Sequence, residues 1–243
     1  MGSLIHRQLA PRGVLRAAVN LANSLLVSSL DADGEPVGIA PDLARNIARK
    51  LDVPLACVSF TSPVDLAEAA DNDVWDICLI AVDPAREHKI AFTAPYAEIQ
   101  ATYLAQSSST LDSPLEVDRP GVRVAVASGS AYDLWLTRHL AHASLIRRNS
   151  HDEALEAVAK EQADVLAGLR PTLLNNKSTL PGARLLDGCF TAIRQAVGTH
   201  RRNEAGACFL RATVENLRAS GFVNDVIRLH GVRGLDVAAA PAH

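Results

Sequence analysis

The run VWDICLIAV at residues 74–82 restricts the fold of this chain more than any other stretch. Side chains along a strand point alternately to its two faces, and here both faces are apolar. Strands that are covered on both faces are typical of parallel sheets with helices on either side. The run therefore predicts the central strand of an α/β domain.

Strand-like and helix-like segments alternate along the rest of the chain, as in consecutive βαβ units. The helix at 41–51 has Leu43, Ile47 and Leu51 on one face, and the helix at 150–162 begins with Ser150. The other predicted strands are 14–20, 34–38, 54–60, 121–129, 143–149 and 163–169. The other predicted helices are 62–73, 131–141 and two in 203–231, separated at Gly221.

Two extended stretches, 92–108 and 185–198, interrupt this alternation. We therefore predict two Rossmann-like lobes joined by a two-strand hinge. Lobe one comprises 1–98 and 192–243, and lobe two comprises 99–191. Open α/β sheets bind ligands at the carboxyl ends of their strands, so we expect a ligand cleft between the lobes.

Composition excludes several functions. The net charge is −3 and no long Lys/Arg run occurs, so no nucleic-acid partner is expected. The four cysteines lack metal-ligand spacing, and neither a metal nor another cofactor is expected. Cys57 and Cys78 are interpreted as small buried side chains. A disulfide between Cys189 and Cys208 is an alternative only if the chain is exported, because disulfides form in oxidising compartments.

The N-terminus lacks the pattern of a signal peptide, and no apolar run is long enough to span a membrane. Two locations are consistent with this: the cytoplasm, or the periplasm for a chain whose signal peptide was removed.

The order of motifs resembles the type II periplasmic solute-binding proteins of the polar amino-acid-binding group. The resemblance rests on VLRAAVN, DADGEPVGIAPDLARNIARKLDV, WDICLIAVDPAREHKIAFTAPY, RVAVASGSAYDLWL, ADVLAGL and ASGFVNDVIRLHGV, which together extend over about residues 12–233. It implies a monomeric, non-enzymatic periplasmic protein that closes around a small solute. It also implies a membrane permease of an ABC importer as partner.

The resemblance assigns the α-carboxylate of the ligand to Arg86. A guanidinium suits this role because its planar donors match a carboxylate in two hydrogen bonds. The alternative is a surface arginine that pairs with Glu87 or another acid. The turn SGSAY, residues 128–132, should add a carboxylate site through Gly129, Ser130 and the free N–H groups of the helix that follows, although Ser130 also suits a plain N-cap.

The acidic residue that the family uses for the ligand ammonium is absent, because Leu169 stands at that place. Asn20 likewise replaces an acid at the end of the first strand. We therefore expect a carboxylate ligand without an obligatory ammonium, while Glu98 could restore amino-acid binding. Arg170 either binds a second anionic group or points to solvent. The predicted ligand-binding residues are Arg86, Asn20, Asn23, Leu79, Ala81, Ser128, Ser130, Ala131, Tyr132, Leu169 and Arg170.

Two other functions share the fold that the resemblance implies. One is an enzyme similar to the cyclohexadienyl dehydratases, which would need a general acid and base. His88 is interpreted as solvated and Asp133 as a helix cap, which argues against this function. His139, His142 and His151 are expected on or beside outer helices of lobe two. The other is a ligand-sensing domain, but the chain has neither a kinase segment nor a DNA-binding motif.

Overall fold

The computed structural model describes residues 2–239. The chain forms two compact units: unit one is Met1–Glu98 with Arg194–His243, and unit two is Ile99–Ile193. Strands and helices alternate in both, so the predicted α/β class is confirmed. The predicted lobes, 1–98 with 192–243 and 99–191, stay a prediction.

The helices and strands are numbered in chain order. The helices are α1 Gly2–Leu9, α2 Ile39–Leu51, α3 Pro63–Glu68, α4 Pro84–Glu87, α5 Ala131–His139, α6 His151–Ala159, α7 Arg170–Asn176, α8 Glu204–Ala219 and α9 Phe222–Leu229. The strands are β1 Leu15–Asn20, β2 Ser29–Leu30, β3 Pro36–Val37, β4 Leu55–Phe60, β5 Ile77–Ala81, β6 Ile90–Phe92, β7 Ala97–Ala105, β8 Arg123–Ala127, β9 Ser144–Arg148, β10 Val165–Leu169, β11 Arg184–Leu185, β12 Thr191–His200 and β13 Asp236–Val237.

The sheet of unit one has the order β4-β1-β5-β12, and β5 is buried along its whole length. Its central position was predicted, but the sheet is mixed. Strand β1 runs parallel to β5, whereas β12 runs antiparallel to it, with Ala81 opposite Gln195. The sheet is mixed because β12, which comes from the second extended stretch, runs in the opposite direction to β5. The sequence pattern does not show which strand this stretch pairs with.

Helix α1 was not predicted from the sequence. Its last residue, Leu9, is fully buried and packs against Gly206 of α8. A Cβ atom at Gly206 would lie 2.7 Å from the Leu9 side chain, so glycine permits this close approach. The N-terminal segment is thus part of the core of unit one.

The sheet of unit two has the order β7-β10-β8-β9. Strand β8 runs parallel to both β9 and β10, so the carboxyl ends of these three strands lie at one edge. Ser150 caps α6, since its hydroxyl accepts a hydrogen bond from the Glu153 N–H at 3.1 Å. The predicted capping interaction of Ser150 is therefore present.

Each unit contains an Arg–Asp pair at the opposite, amino edge of its sheet. In unit one, Arg16 Nε and Nη2 donate to the two Asp76 carboxylate oxygens at 3.0 and 2.7 Å. In unit two, Arg123 makes the same two bonds to Asp164 at 3.2 and 2.7 Å. In both pairs the carboxylate also accepts the backbone N–H of its arginine. We call these the Arg–Asp clamps.

All four cysteines are free thiols, so the Cys189–Cys208 disulfide is not formed. Cys189 and Cys208 are exposed, whereas Cys78 is buried in β5 and Cys57 is partly buried in β4. Burial raises the pKa of Cys78 to about 12 and that of Cys57 to about 11.

Within residues 2–239, no helix is long and apolar enough to cross a membrane. The same part of the chain contains no cluster of three or more His, Cys, Asp or Glu side chains that could hold a metal ion.

Asp76→Ala should lower the free energy of unfolding by about 3–5 kcal/mol, because it leaves a buried guanidinium without its partner. Arg16 and Asp76 are only 8% and 2% exposed. The matched variant Asp164→Ala should cost only about 1 kcal/mol, because that pair is more exposed and solvent screens it. Urea unfolding followed by circular dichroism measures both. Equal losses would contradict the importance of burial.

At about pH 8, two thiols should react rapidly with a disulfide reagent, because the thiolate is the reactive form and must be accessible. These are Cys189 and Cys208, while Cys57 and Cys78 should react only after unfolding. Absorbance of the released thiolate counts the groups. A rapid third thiol in the folded protein at about pH 8 would contradict this assignment.

Candidate functional site

Arg86 follows the carboxyl end of the central strand of unit one. Strand β5 ends at Ala81, and the Asp83 carboxylate then accepts the Ala85 N–H at 2.9 Å and caps the one-turn helix α4. Arg86 lies near the end of this turn, and its Nη1 donates to the Ala81 carbonyl at 2.8 Å. The turn therefore directs Arg86 back to the strand that precedes it.

The Arg86 side chain is only 5% exposed, so the alternative of a surface arginine is wrong. Burial lowers the pKa of the guanidinium, and the nearby Asp83 carboxylate partly opposes this effect. An arginine remains protonated in proteins despite such shifts. Unit one therefore holds a buried positive charge at the carboxyl end of its sheet.

The hydrogen bonds of β5 show on which side of the strand this charge lies. Val82 N–H donates to the Arg194 carbonyl of β12 at 2.9 Å. Backbone groups of successive residues point to opposite sides, so the Ala81 carbonyl faces away from β12 and towards β1. The guanidinium that donates to Ala81 thus lies on the β1 side, and β1 ends at Asn20.

Asn20 and Asn23 shape the loop that follows β1. The Asn20 side-chain oxygen accepts the Ala22 N–H at 3.1 Å, and that of Asn23 accepts the Leu25 N–H at 3.2 Å. Both amides thus stabilise local turns, as asparagine commonly does. Their predicted contact with a ligand stays a prediction.

Leu79 and Ala81 are both buried, but their positions differ. Leu79 lies opposite Val19 of β1 and Val197 of β12, in an apolar part of the sheet. Ala81 is the last residue of the strand and carries the carbonyl that Arg86 binds. Ala81 is therefore better placed than Leu79 to contact a ligand at the end of the strand. The predicted ligand contact of each residue stays a prediction.

In unit two, the predicted turn connects β8 to α5. Gly129 has a φ of 66°, which favours glycine, and the Ser130 hydroxyl caps α5 by accepting the Asp133 N–H at 3.1 Å. The Asp133 carboxylate in turn accepts the Gly129 N–H at 2.9 Å. Asp133 thus acts as a cap, and it also receives Arg147 Nε at 3.0 Å.

The other residues of this turn differ in exposure. Ser128 is exposed, Ala131 is partly buried, and Tyr132 is buried. Burial raises the pKa of Tyr132 to about 12, which a hydrogen bond with Ser130 partly offsets. Tyr132 therefore remains a neutral phenol over the physiological pH range.

Leu169 and Arg170 stand where β10 ends and α7 begins. Leu169 is partly buried and occupies the N-cap position of α7, where its side chain cannot accept a hydrogen bond. Arg170 is also partly buried, and its Nη2 donates to the Gly188 carbonyl of the same unit. Its two predicted roles, contact with an anionic group or a position that points to solvent, both stay predictions.

Several other predicted positions have clear outcomes. His88 is exposed, as expected, and so are His139 and His142, whereas His151 is partly buried and contacts the Asn176 side-chain oxygen at 2.7 Å. Glu98 lies opposite Asp236 in the β7–β13 pair. Two carboxylates that stand directly opposite each other on neighbouring strands repel, so the pairing of Glu98 with Asp236 is destabilising.

Gln195 was missed as a candidate. Its side chain is only 3% exposed, and Gln195 stands directly opposite Ala81 in the β5–β12 pair. Opposed residues on neighbouring strands share one face, so Gln195 lies beside the end of β5. The sequence signal for Gln195 was a polar residue in the mostly apolar, strand-like stretch AIRQAVG.

The comparisons with known proteins agree with this architecture. Residues 18–221 match the family of bacterial extracellular solute-binding proteins, family 3. The amino-acid-binding protein AabA of Dichelobacter nodosus is 26% identical over 164 residues, which are 67% of this chain. The matched segment is 65% of the length of AabA, so the chain spans slightly less than two thirds of that relative.

Solved structures show the same fold. A mutant of the arginine-binding protein ArgBP from T. maritima has a TM-score of 0.75 at 19% identity, with 93% of this chain and 98% of that chain covered. An ancestral amino-acid-binding protein, described as a precursor of cyclohexadienyl dehydratase, gives the same values. A histidine kinase sensor domain has a TM-score of 0.77 at 17% identity, with 93% and 98% covered.

The family match extends over most of the chain, and the structural matches cover nearly all of it. The chain belongs to the bacterial extracellular solute-binding proteins of family 3, and it has the fold of the type II periplasmic binding proteins.

Proposed function

We propose that the protein is the substrate-binding component of an ABC-type importer and that Arg86 holds a carboxylate of its solute. The observation that carries this proposal is the buried guanidinium at the carboxyl end of the central strand. Open α/β sheets bind ligands at this edge, and a charged hydrogen bond in a dry site is strong. The partners are a small carboxylate-bearing solute and a membrane permease, and the protein acts as a periplasmic monomer.

Unit two supports the same ligand class. The N-terminus of α5 carries backbone N–H groups that favour an anion, and Gly129 allows close approach. Asp133 does not counteract this effect, because Arg147 and the Gly129 N–H already satisfy its carboxylate.

The proposed solute lacks an obligatory ammonium group. Leu169 ends β10 without an acidic side chain, and an unpaired ammonium in a dry site is unfavourable. The relative AabA is named an amino-acid-binding protein, so α-amino acids are the competing ligand class. The two classes differ in one functional group and are directly comparable.

Two alternative functions follow from the structural matches. The ancestral protein described as a dehydratase precursor raises an enzymatic function, and the kinase sensor domain raises a sensory one. Catalysis would require a free acid or base beside the ligand. Asp133, at the carboxyl edge of unit two, is engaged as a cap and ion-pair partner, which favours binding without chemistry.

A thermal-shift screen with matched pairs tests the proposal. Each standard α-amino acid is compared with its 2-oxo, 2-hydroxy and deaminated analogue. A ligand at about 100 times its Kd should stabilise the protein by about 2.7 kcal/mol, a readily measured rise in Tm. Stabilisation by the acids without an amine supports the proposal, whereas stabilisation by amino acids alone contradicts the absence of an ammonium site.

Arg86→Ala should weaken binding of the best acid by at least about 1.5–3 kcal/mol, because a charged hydrogen bond is lost. Isothermal titration calorimetry measures the change in Kd. The control is Arg211→Ala, which removes an exposed arginine of the same unit and should leave Kd unchanged. Unchanged affinity in Arg86→Ala would exclude Arg86 as the carboxylate ligand.

Leu169→Asp should improve binding of an α-amino acid relative to its deaminated analogue, because the new carboxylate balances the ammonium. Aspartate also suits the N-cap position that Leu169 occupies, so the variant should fold. Leu169→Asn caps the helix equally without charge and is the matched control. If both variants change the affinity ratio alike, Leu169 does not face the ligand.

A further inference from the structure

Unit one contains a cavity of about 710 Å³ that is lined by residues of strand β6 and helix α8. All of its lining residues belong to this unit. Its apolar lining includes Ile90 and Phe92 of β6, Ala207 of α8 and Val82, which follows β5. Small-molecule sites have volumes of this order and combine apolar walls with a few polar groups. The β6–α8 cavity is therefore large enough to hold a ligand of its own.

Three arginines line the β6–α8 cavity, and all three are exposed to solvent: Arg194, Arg201 and Arg211. Arg201 Nη1 donates to the backbone carbonyl of Glu87 at 2.6 Å. Within residues 2–239, none of the three guanidinium groups forms an ion pair with a carboxylate. The cavity therefore carries positive groups whose donors are available to an anion.

Two glutamates also line the cavity, but they do not neutralise it. Glu204 lies in the first turn of α8, where the positive end of the helix dipole offsets part of its charge. Glu87 lies in α4 and uses its backbone, not its carboxylate, to contact Arg201. In the described part of the chain, neither carboxylate pairs with an arginine of the cavity. Positive groups thus remain in excess.

The β6–α8 cavity lies apart from Arg86. Helix α8 places Ala207 and Arg211 on one face, since residues four apart in a helix are neighbours. The Arg194 carbonyl accepts the Val82 N–H at 2.9 Å, so Arg194 lies on the β12 side of β5. The Arg86 guanidinium lies on the β1 side. The central strand therefore separates the two groups of positive charge.

We propose that the β6–α8 cavity binds an organic anion with an apolar body, at a site separate from that of the solute. Arg194 and Arg211 bind the anionic group, and the apolar residues of β6 contact the body of the ligand. A guanidinium presents parallel N–H donors that match the oxygens of a carboxylate, sulfonate or phosphate. The site is complete within unit one and does not depend on the proposed function.

The test compares two fluorescent probes. Anilinonaphthalenesulfonate (ANS) is an anion with an apolar body, and N-phenylnaphthylamine has the same rings without the sulfonate. The wild-type protein should bind ANS at least about fivefold more tightly than the neutral probe. Added salt should reduce this preference, because it screens exposed charges. Equal affinity for the two probes, or no binding of ANS, would overturn the inference.

The double variant Arg194→Gln/Arg211→Gln should bind the two probes with equal affinity, because the charges are lost and the apolar lining remains. Both side chains are exposed, so the variant should fold, which near-UV circular dichroism checks. The control is Arg49→Gln, which removes an exposed arginine of α2 that also lacks an ion pair among the described residues. It should retain the preference for ANS. Retention of the preference in the double variant would contradict the inference.

Competition in the wild-type protein identifies the anionic group. Naphthoate or naphthyl phosphate should displace bound ANS, whereas naphthol, which is neutral at about pH 7, should not. The acid that displaces ANS at the lower concentration identifies the preferred group. Displacement by naphthol to the same extent, or by neither acid, would show that the arginines do not select the ligand.

A second competition separates this inference from the proposed function. The best acid for the Arg86 site, added at a saturating concentration, should leave ANS bound in the β6–α8 cavity. Displacement of ANS by that acid would place the probe at the solute site and overturn the inference. If no solute depends on Arg86, the proposed function fails, while the preference for ANS and its loss in the double variant still support the second site.

Discussion

The Arg–Asp clamps set the pairing register of the parallel strands in both units. Each joins the first residues of one strand to the residue before its parallel neighbour, through two side-chain bonds and one backbone bond. A slip of one residue would separate the charges and turn each strand's apolar side chains to the wrong face. Because the clamps lie at the amino edges, the register is fixed at the end opposite to Arg86 and Arg170.

This separation leaves the carboxyl edges of both sheets to other arginines. Arg86 donates to the carbonyl of Ala81, and Arg170 donates to that of Gly188. Each of these main-chain contacts orients its guanidinium at the edge of the sheet. Arg16, by contrast, pairs with the buried Asp76 carboxylate at the amino edge, where it stabilises the fold.

The sequence predicts the α/β alternation and the place of Arg86, because both depend on local patterns. The burial of Arg86 was not predictable from them, since it follows from the one-turn helix that Asp83 and Pro84 begin. The position of Gln195 depends on its pairing with Ala81, far away in the chain. The contact of Arg170 with Gly188 likewise requires the tertiary fold, and so does the packing of α1, whose Leu9 lies against the distant Gly206.

The division of the chain has a consequence for its synthesis. Unit two is continuous in sequence, from Ile99 to Ile193, whereas unit one is completed only by Arg194–His243. Strand β5 therefore leaves the ribosome long before β12, which covers its open edge. An uncovered apolar strand is prone to aggregation, so the newborn chain exposes β5 until β12 has been synthesised.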